Sequence, residues 1–132
     1  MRIYVRRKGD GAFPLMTEVT SIHAPKIMKK VRITVKKIAR YDDLMEQYEN
    51  PIEHACDMQP GQTFVCNGWK KPEGFCDSAW GTVSSVVMTL SHGGENFYDG
   101  WMKNPKSAMI SCNDGFRPVS FLLETMEEEA ER

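Results

Sequence analysis

Long apolar runs are missing from this chain of 132 residues. A helix that spans a membrane needs about 20 consecutive, mainly apolar residues, and no segment approaches that length, so we expect no membrane partner. Residues 1–8 carry positive charge with no apolar run behind them, which does not fit a secretory signal. We therefore expect a cytoplasmic protein whose thiols are kept reduced.

The motifs that identify common enzyme classes are also missing. The sequence has no phosphate-binding Gly-x-x-x-x-Gly-Lys, no dinucleotide-binding Gly-x-Gly-x-x-Gly, no His-Glu-x-x-His and no Gly-x-Ser-x-Gly. Its four cysteines are separated by 9, 9 and 35 residues, which matches neither a zinc ribbon nor a Cys-x-x-Cys redox motif. No motif therefore assigns a reaction or a catalytic residue.

Three of the cysteines, by contrast, occupy the same kind of position. Cys56 lies in a loop before a Pro-Gly turn, Cys76 opens a predicted helix, and Cys112 ends a predicted strand. Side chains from distant parts of a chain converge where elements end, so we predict that these three thiols share one site. Cys66 lies inside a predicted strand and is expected to be a core residue, because free cysteine is among the most buried residue types.

Several chemistries are open to such a site. Three thiolates together with His54 would make a tetrahedral zinc set, and three or four thiolates hold iron–sulfur clusters. The same thiols would alternatively serve redox chemistry or bind another ligand, because the thiolate is the reactive form of cysteine. The plainest alternative is that all three are small core residues.

Two residues after Cys112 are candidates for ligand binding. Asp114 and Arg117 flank a predicted hairpin turn, where Asp114 would form the turn and Arg117 would pair with a carboxylate. Alternatively, Arg117 would hold an anionic ligand bidentately near Cys112. In a weaker form of this hypothesis Cys112 is a nucleophile. Trp80 either anchors the main helix in the core or contributes to the ligand site.

The charges are distributed unevenly along the chain. Residues 1–40 contain 11 Lys and Arg against 2 Asp and Glu, whereas residues 41–132 contain 6 against 16. We do not expect nucleic acid as a partner, because the basic residues alternate with apolar ones and no aromatic stacking platform accompanies them. The two parts would instead attract each other, within the fold or across a homo-oligomer. An interaction module or accessory subunit bound to a partner protein is therefore the alternative to a three-cysteine site.

The periodicity of apolar residues predicts an α+β fold. Val31, Ile33 and Val35 alternate with polar residues, as in a half-buried strand. A short helix is predicted at 41–49, with Asp42 as its N-cap, and a main helix at 75–90. The remaining strands are predicted at Thr63 to Cys66, Ala108 to Cys112 and Val119 to Leu123. Together these elements predict a small, mostly antiparallel sheet covered by the two helices.

The pattern also divides the chain into three parts. Residues 1–27 are interpreted as an N-terminal extension or arm, with a short strand at Ile3 to Val5 followed by a proline-containing loop. Residues 28–125 are predicted to form a single α+β domain. The acidic residues 126–132 are predicted to be a solvated tail.

Residues 31–124 carry the segments Pro-Glu-Gly-Phe-Cys, ending at Cys76, and Cys-x-Asp-Gly-x-Arg-Pro, starting at Cys112. In these segments the chain resembles a family of small bacterial and archaeal cytoplasmic proteins that has three recurring cysteines and no established function. The resemblance implies a stand-alone domain in which Cys56, Cys76 and Cys112 belong together. The residue after each cysteine is often proline in that family, and here it is Asp57, Asp77 or Asn113.

Overall fold

The computed structural model describes residues 27–131 in full and, before them, the backbone of two strands, Arg2–Arg7 (β1) and Leu15–Thr20 (β2). After β2 the elements follow the predicted order of strand, helix, strand, helix, strand, strand. They are β3 (Lys29–Ile38), α1 (Asp42–Tyr48), β4 (Thr63–Cys66), α2 (Asp77–Ser91), β5 (Ser107–Ser111) and β6 (Val119–Glu129).

Four of these strands form one antiparallel sheet in the order β4-β3-β6-β5. The central strand β3 buries Val31, Ile33 and Val35 completely, while the residues between them are exposed or half-buried. This is the alternation that the sequence predicts, because successive side chains of a strand point to opposite faces. The α+β fold with a small antiparallel sheet is therefore confirmed.

Helix α2 covers the buried face of this sheet. Its buried apolar residues are Ala79, Val83, Val87 and Leu90, spaced so that they lie on one side of the helix. They meet the buried side chains of β3 and β6, among them Phe121, in a single hydrophobic cluster. Phe75, just before α2, belongs to the same cluster, and its ring centroid lies 5.3 Å from that of Phe121.

The two helices differ from the prediction in detail. Helix α2 begins at Asp77 rather than at residue 75, because Cys76 has an extended backbone and is the N-cap. Tyr41, not the predicted Asp42, is the N-cap of α1, and it makes no side-chain cap. Helix α1 has no buried residue, so the helical side chains that are buried against the sheet are those of α2. Neither helix is long and apolar enough to cross a membrane, which holds for the residues described here.

Strand β6 continues six residues beyond the predicted end at Leu123, so residues 126–129 are part of the sheet and not a free acidic tail. Lys29 pairs with Glu129 across the β3–β6 ladder, and the Ala130 amide donates to the Met28 carbonyl at 2.7 Å. Lys30 Nζ lies 2.8 Å from a Glu128 carboxylate oxygen. Hydrogen bonding to Lys30 lowers the pKa of Glu128. The acidic end of the chain is therefore paired with the basic start of β3.

The N-terminal strands β1 and β2 pair in antiparallel fashion and form a separate two-stranded sheet. The strand predicted at Ile3 to Val5 lies within β1 and is confirmed. Strand β2 occupies part of the stretch predicted to be a loop, so that prediction is wrong there. The β-branched residues Thr17, Val19 and Thr20 are the signal for this strand.

The burial pattern predicts where the sheet is sensitive to substitution. We expect Phe121→Ala to lower the free energy of unfolding by about 3–5 kcal/mol, because it removes a fully buried ring and leaves a cavity. Met109→Ala is the control, since Met109 is 37% exposed on the opposite face, and its effect should stay below about 1 kcal/mol. Urea unfolding followed by circular dichroism measures both, and equal losses would contradict this account of the core.

Candidate functional site

The structure brings the three predicted cysteines together. Cys56, Cys76 and Cys112 all line one cavity of about 130 Å³, together with Ser78, Asp114 and Arg117. Cys56 comes from the loop between α1 and β4, Cys76 directly precedes α2, and Cys112 directly follows β5. At about 30 Å³ of liquid volume per water molecule, the cavity has room for a small group only.

Cys112 is held most firmly of the three. Its amide donates to the Val119 carbonyl at 3.0 Å, and the Val119 amide donates to its sulfur at 3.2 Å. Val119 is buried at the start of β6. The half-buried Cys112 is therefore fixed to the start of β6 by two hydrogen bonds with Val119, one through its backbone amide and one through its thiol.

The other two sulfurs are attached more loosely. The Met58 amide donates to the Cys56 sulfur at 3.4 Å, which orients an exposed residue through a neighbour that is only 5% exposed. Cys76 accepts the Trp80 amide on its backbone carbonyl at 2.9 Å, whereas its side chain makes no capping hydrogen bond. The Cys76 thiol therefore lies at the N-terminus of α2 but does not cap the helix.

Two hydrogen bonds fix the start of α2 to the hairpin that carries Cys112. The Ser78 hydroxyl donates to the Asn113 side-chain oxygen at 2.8 Å, and the Thr82 hydroxyl donates to the Ser111 carbonyl at 3.1 Å. These contacts lie on either side of Cys112 in the sequence. They set the position of the helix N-terminus, and so of Cys76, relative to Cys112.

Asp114 and Arg117 have the structural roles that were one of the two predicted alternatives. Asp114 Oδ1 accepts the amides of Phe116 and Arg117 at 2.8 and 3.2 Å, which forms the turn. Both terminal nitrogens of Arg117 donate to the Glu49 carboxylate, at 3.0 and 2.5 Å. Hydrogen bonding to Arg117 lowers the pKa of Glu49. The guanidinium fork predicted to hold an anionic ligand is thus occupied by Glu49.

Two further predicted site residues lie outside the thiol cavity. His54 lines a neighbouring groove instead. Trp80 is half-buried, and its ring lies edge-on to that of Phe75 with the centroids 6.1 Å apart, so it packs against the core, which was one of its two predicted roles. Across residues 27–131, no three His, Cys, Asp or Glu side chains lie where they could hold a metal ion. Cys56, Cys76, Cys112 and His54 therefore form no such group in this structure, and their role as zinc or cluster ligands stays a prediction.

Cys66 provides a contrast within the same chain. It is fully buried at the end of β4, and burial raises the pKa of its thiol to about 12. Its predicted role as a core residue is confirmed. The three cavity cysteines differ from it because Cys56 and Cys76 are exposed and Cys112 is half-buried.

The sequence did not indicate Ser78, Asn113 or Glu49, although these residues position the site. Asn113 and Ser78 are each close in sequence to a candidate cysteine, which was the only available signal. Glu49 ends the short helix and is 68 residues from Arg117, so nothing local connects the two. Comparisons of the chain with family models, with curated proteins and with solved structures gave no match. The family resemblance therefore stays a prediction.

The Glu49–Arg117 pair predicts a pH-dependent contribution to stability. Because folding lowers the pKa of Glu49, its contribution is complete above the ordinary glutamate pKa of about 4.3 and is lost as the pH falls through the lower folded value. We expect Glu49→Gln to destabilise the protein at pH 7 and to differ progressively less from the wild type below about pH 4. Urea unfolding between these pH values measures the difference.

The control for this experiment is Glu53→Gln. Glu53 is exposed and forms no ion pair with the described residues. It should not change the unfolding free energy at either pH. A Glu49→Gln effect that is constant down to pH 3 would show that the ion pair is not its source.

Thiol reactivity should separate the cavity cysteines from Cys66. At pH 8 a pKa of about 12 leaves Cys66 with a thiolate fraction on the order of 10³ lower than that of an ordinary cysteine. We expect iodoacetamide to label Cys56, Cys76 and Cys112 in the folded protein and to leave Cys66 unlabelled. Mass spectrometry of peptides measures the rates, and labelling in urea provides the control in which all four react. Equal rates for Cys66 and Cys56 under native conditions would contradict the burial of Cys66.

Proposed function

We propose that this protein is a thiol redox protein whose reactive groups are Cys56, Cys76 and Cys112. The observation that carries the proposal is that three thiols from three distant segments line one small cavity. All four cysteines are free, and the one outside the cavity is the one buried in the core. Thiols that only filled core space would be expected to resemble Cys66.

The charges around the cavity favour this chemistry over the binding of an anion. Arg117 donates both terminal nitrogens to Glu49, and Asp114 adds a further carboxylate. An anionic ligand would have to displace Glu49 or approach Asp114. A neutral group such as a disulfide bond meets neither obstacle, and the described His, Cys, Asp and Glu side chains form no group of three that could hold a metal ion.

The proposed reaction is thiol–disulfide exchange. One cavity thiolate attacks a sulfur of a substrate disulfide, forming a mixed disulfide and releasing the first substrate thiolate. A second cavity thiolate then attacks the protein sulfur of the mixed disulfide and releases the second substrate thiolate. Two electrons pass from the protein dithiol to the substrate, and the two protons end on the released thiols. A thiol reductant returns the protein disulfide to the dithiol.

This proposal predicts that an intramolecular disulfide forms among the cavity cysteines. Reduced protein treated with an excess of oxidised glutathione should lose two of its thiols, and peptide mapping should place the bond between two of Cys56, Cys76 and Cys112. The Cys66→Ser variant should behave like the wild type and is the matched control. Dithiothreitol should restore both thiols.

Two outcomes would overturn the proposal. The first is protein that retains all its thiols, or that forms only mixed disulfides with glutathione. The second is stoichiometric zinc or iron in protein purified without oxygen, bound in the wild type and lost in single Cys→Ser variants of the cavity. The second outcome would make the same three residues metal ligands.

A further inference from the structure

A larger groove of about 550 Å³ adjoins the thiol cavity. The groove and the cavity share Ala55, Cys56 and Arg117 in their linings. All four cysteines lie in the described part of the chain, and only Cys56 lines both spaces. A molecule seated in the groove would therefore meet Cys56 before it met the other two thiols.

The lining of the groove combines apolar and polar side chains. Ile38, Ile52 and Met58 provide apolar surface, and Ile52 is 52% exposed although it is large and apolar. Arg40 and His54 add groups that donate hydrogen bonds. The Arg40 pair with Asp42 at 3.1 Å is on the surface, where such pairs contribute little, so Arg40 remains available to another acceptor. Peptides, which alternate apolar side chains with amide and carboxylate groups, have the matching chemistry.

We propose that this groove seats the peptide portion of a disulfide substrate and that Cys56 is the thiol that attacks it. This inference rests on the proposed redox function and assigns its first step. The Cys56 thiolate attacks the substrate disulfide and releases one substrate thiolate, and Cys76 or Cys112 then resolves the mixed disulfide from inside the cavity. The second substrate thiolate leaves through the groove.

The anchoring of the three thiols supports this order of steps. Cys112 is half-buried and fixed by two hydrogen bonds to Val119, so it is poorly placed to meet a bulky substrate first. Cys76 precedes α2 and lines the cavity but not the groove. Cys56 is exposed, lines the groove, and receives one amide hydrogen bond, from Met58.

A trapping experiment tests the assignment of Cys56. In the Cys76→Ser/Cys112→Ser variant, oxidised glutathione should form a stable mixed disulfide on Cys56 at the wild-type rate of the first step. In Cys56→Ser the rate of the first glutathione transfer should fall at least ten-fold. The rate is measured by quenching the reaction with acid at successive times and analysing the protein by mass spectrometry. A Cys56→Ser variant that reacts as fast as the wild type would overturn this inference and leave the redox function standing. Wild-type protein that forms no intramolecular disulfide would overturn both.

A second pair of variants tests the groove without altering a thiol. Ile52→Glu should slow oxidation by a peptide disulfide about ten-fold, the scale of one lost apolar contact, and change oxidation by 2-hydroxyethyl disulfide less than two-fold. Val65→Glu is the matched control, because Val65 is similarly exposed, at 46%, and lies on β4 outside the groove. Equal rates for the two variants with the peptide disulfide would overturn the groove assignment.

The source of the peptide disulfide is distinguished with two probes, oxidised glutathione and a synthetic peptide that contains an internal cystine. A loss of rate in Ile52→Glu with oxidised glutathione assigns the groove to the disulfides of small peptides. A loss with the cystine peptide alone assigns it to protein segments. No loss with either probe contradicts the inference.

Discussion

The antiparallel pairing of β3 with β6 is the interaction on which the rest of the structure depends. It places the buried alternation of β3 beside that of β6, and it continues beyond β3, where Ala39 and Tyr41 donate their amides to the carbonyls of Pro118 and Phe116. These bonds hold the loop that follows Cys112 against the chain that leads into α1. Strand β3 pairs with β4 along its other edge, and just before β4 the Val35 amide donates to the Gln62 carbonyl at 2.9 Å. The loop that carries Cys56 is thus held at one end by Gln62, which is bonded to β3, and at the other by Glu49, which is paired with Arg117.

Part of the uneven distribution of charge along the chain is accounted for within this sheet. The basic start of β3 lies beside the acidic end of β6, where Lys30 meets Glu128. A surface ion pair of this kind contributes little to stability. It nevertheless favours the strand pairing in which residues 126–129 belong to β6. At this end of the sheet the basic and acidic residues are therefore paired within the chain.

The sequence predicts the parts of this fold that depend on periodicity, and it predicts less well the parts that depend on where a side chain points. The buried alternation of β3 and the apolar side of α2 follow from residue spacing. The end of β6 could not be predicted from spacing, because its last residues are polar and are held by backbone pairing with β3. In the site, the three cysteines that were grouped by their positions at the edges of elements line one cavity. The predicted roles of His54, Trp80 and Arg117 depended on side-chain direction, and Arg117 was engaged by a glutamate too distant in sequence to be anticipated.

The three thiols also differ in how freely they can move, and exchange between them requires one sulfur to approach another. Cys112 is bound to Val119 in the sheet, and the start of α2 is tied to the same hairpin through Ser78 and Asn113. Residues 50–57, by contrast, are all exposed, and Met58 is the buried residue that anchors this loop. Segments with few buried apolar contacts open at the lowest free energy. Cys56 is therefore the thiol whose displacement costs least, and its loop is the part of the site that can carry a bound substrate sulfur toward the two thiols held by the sheet and helix.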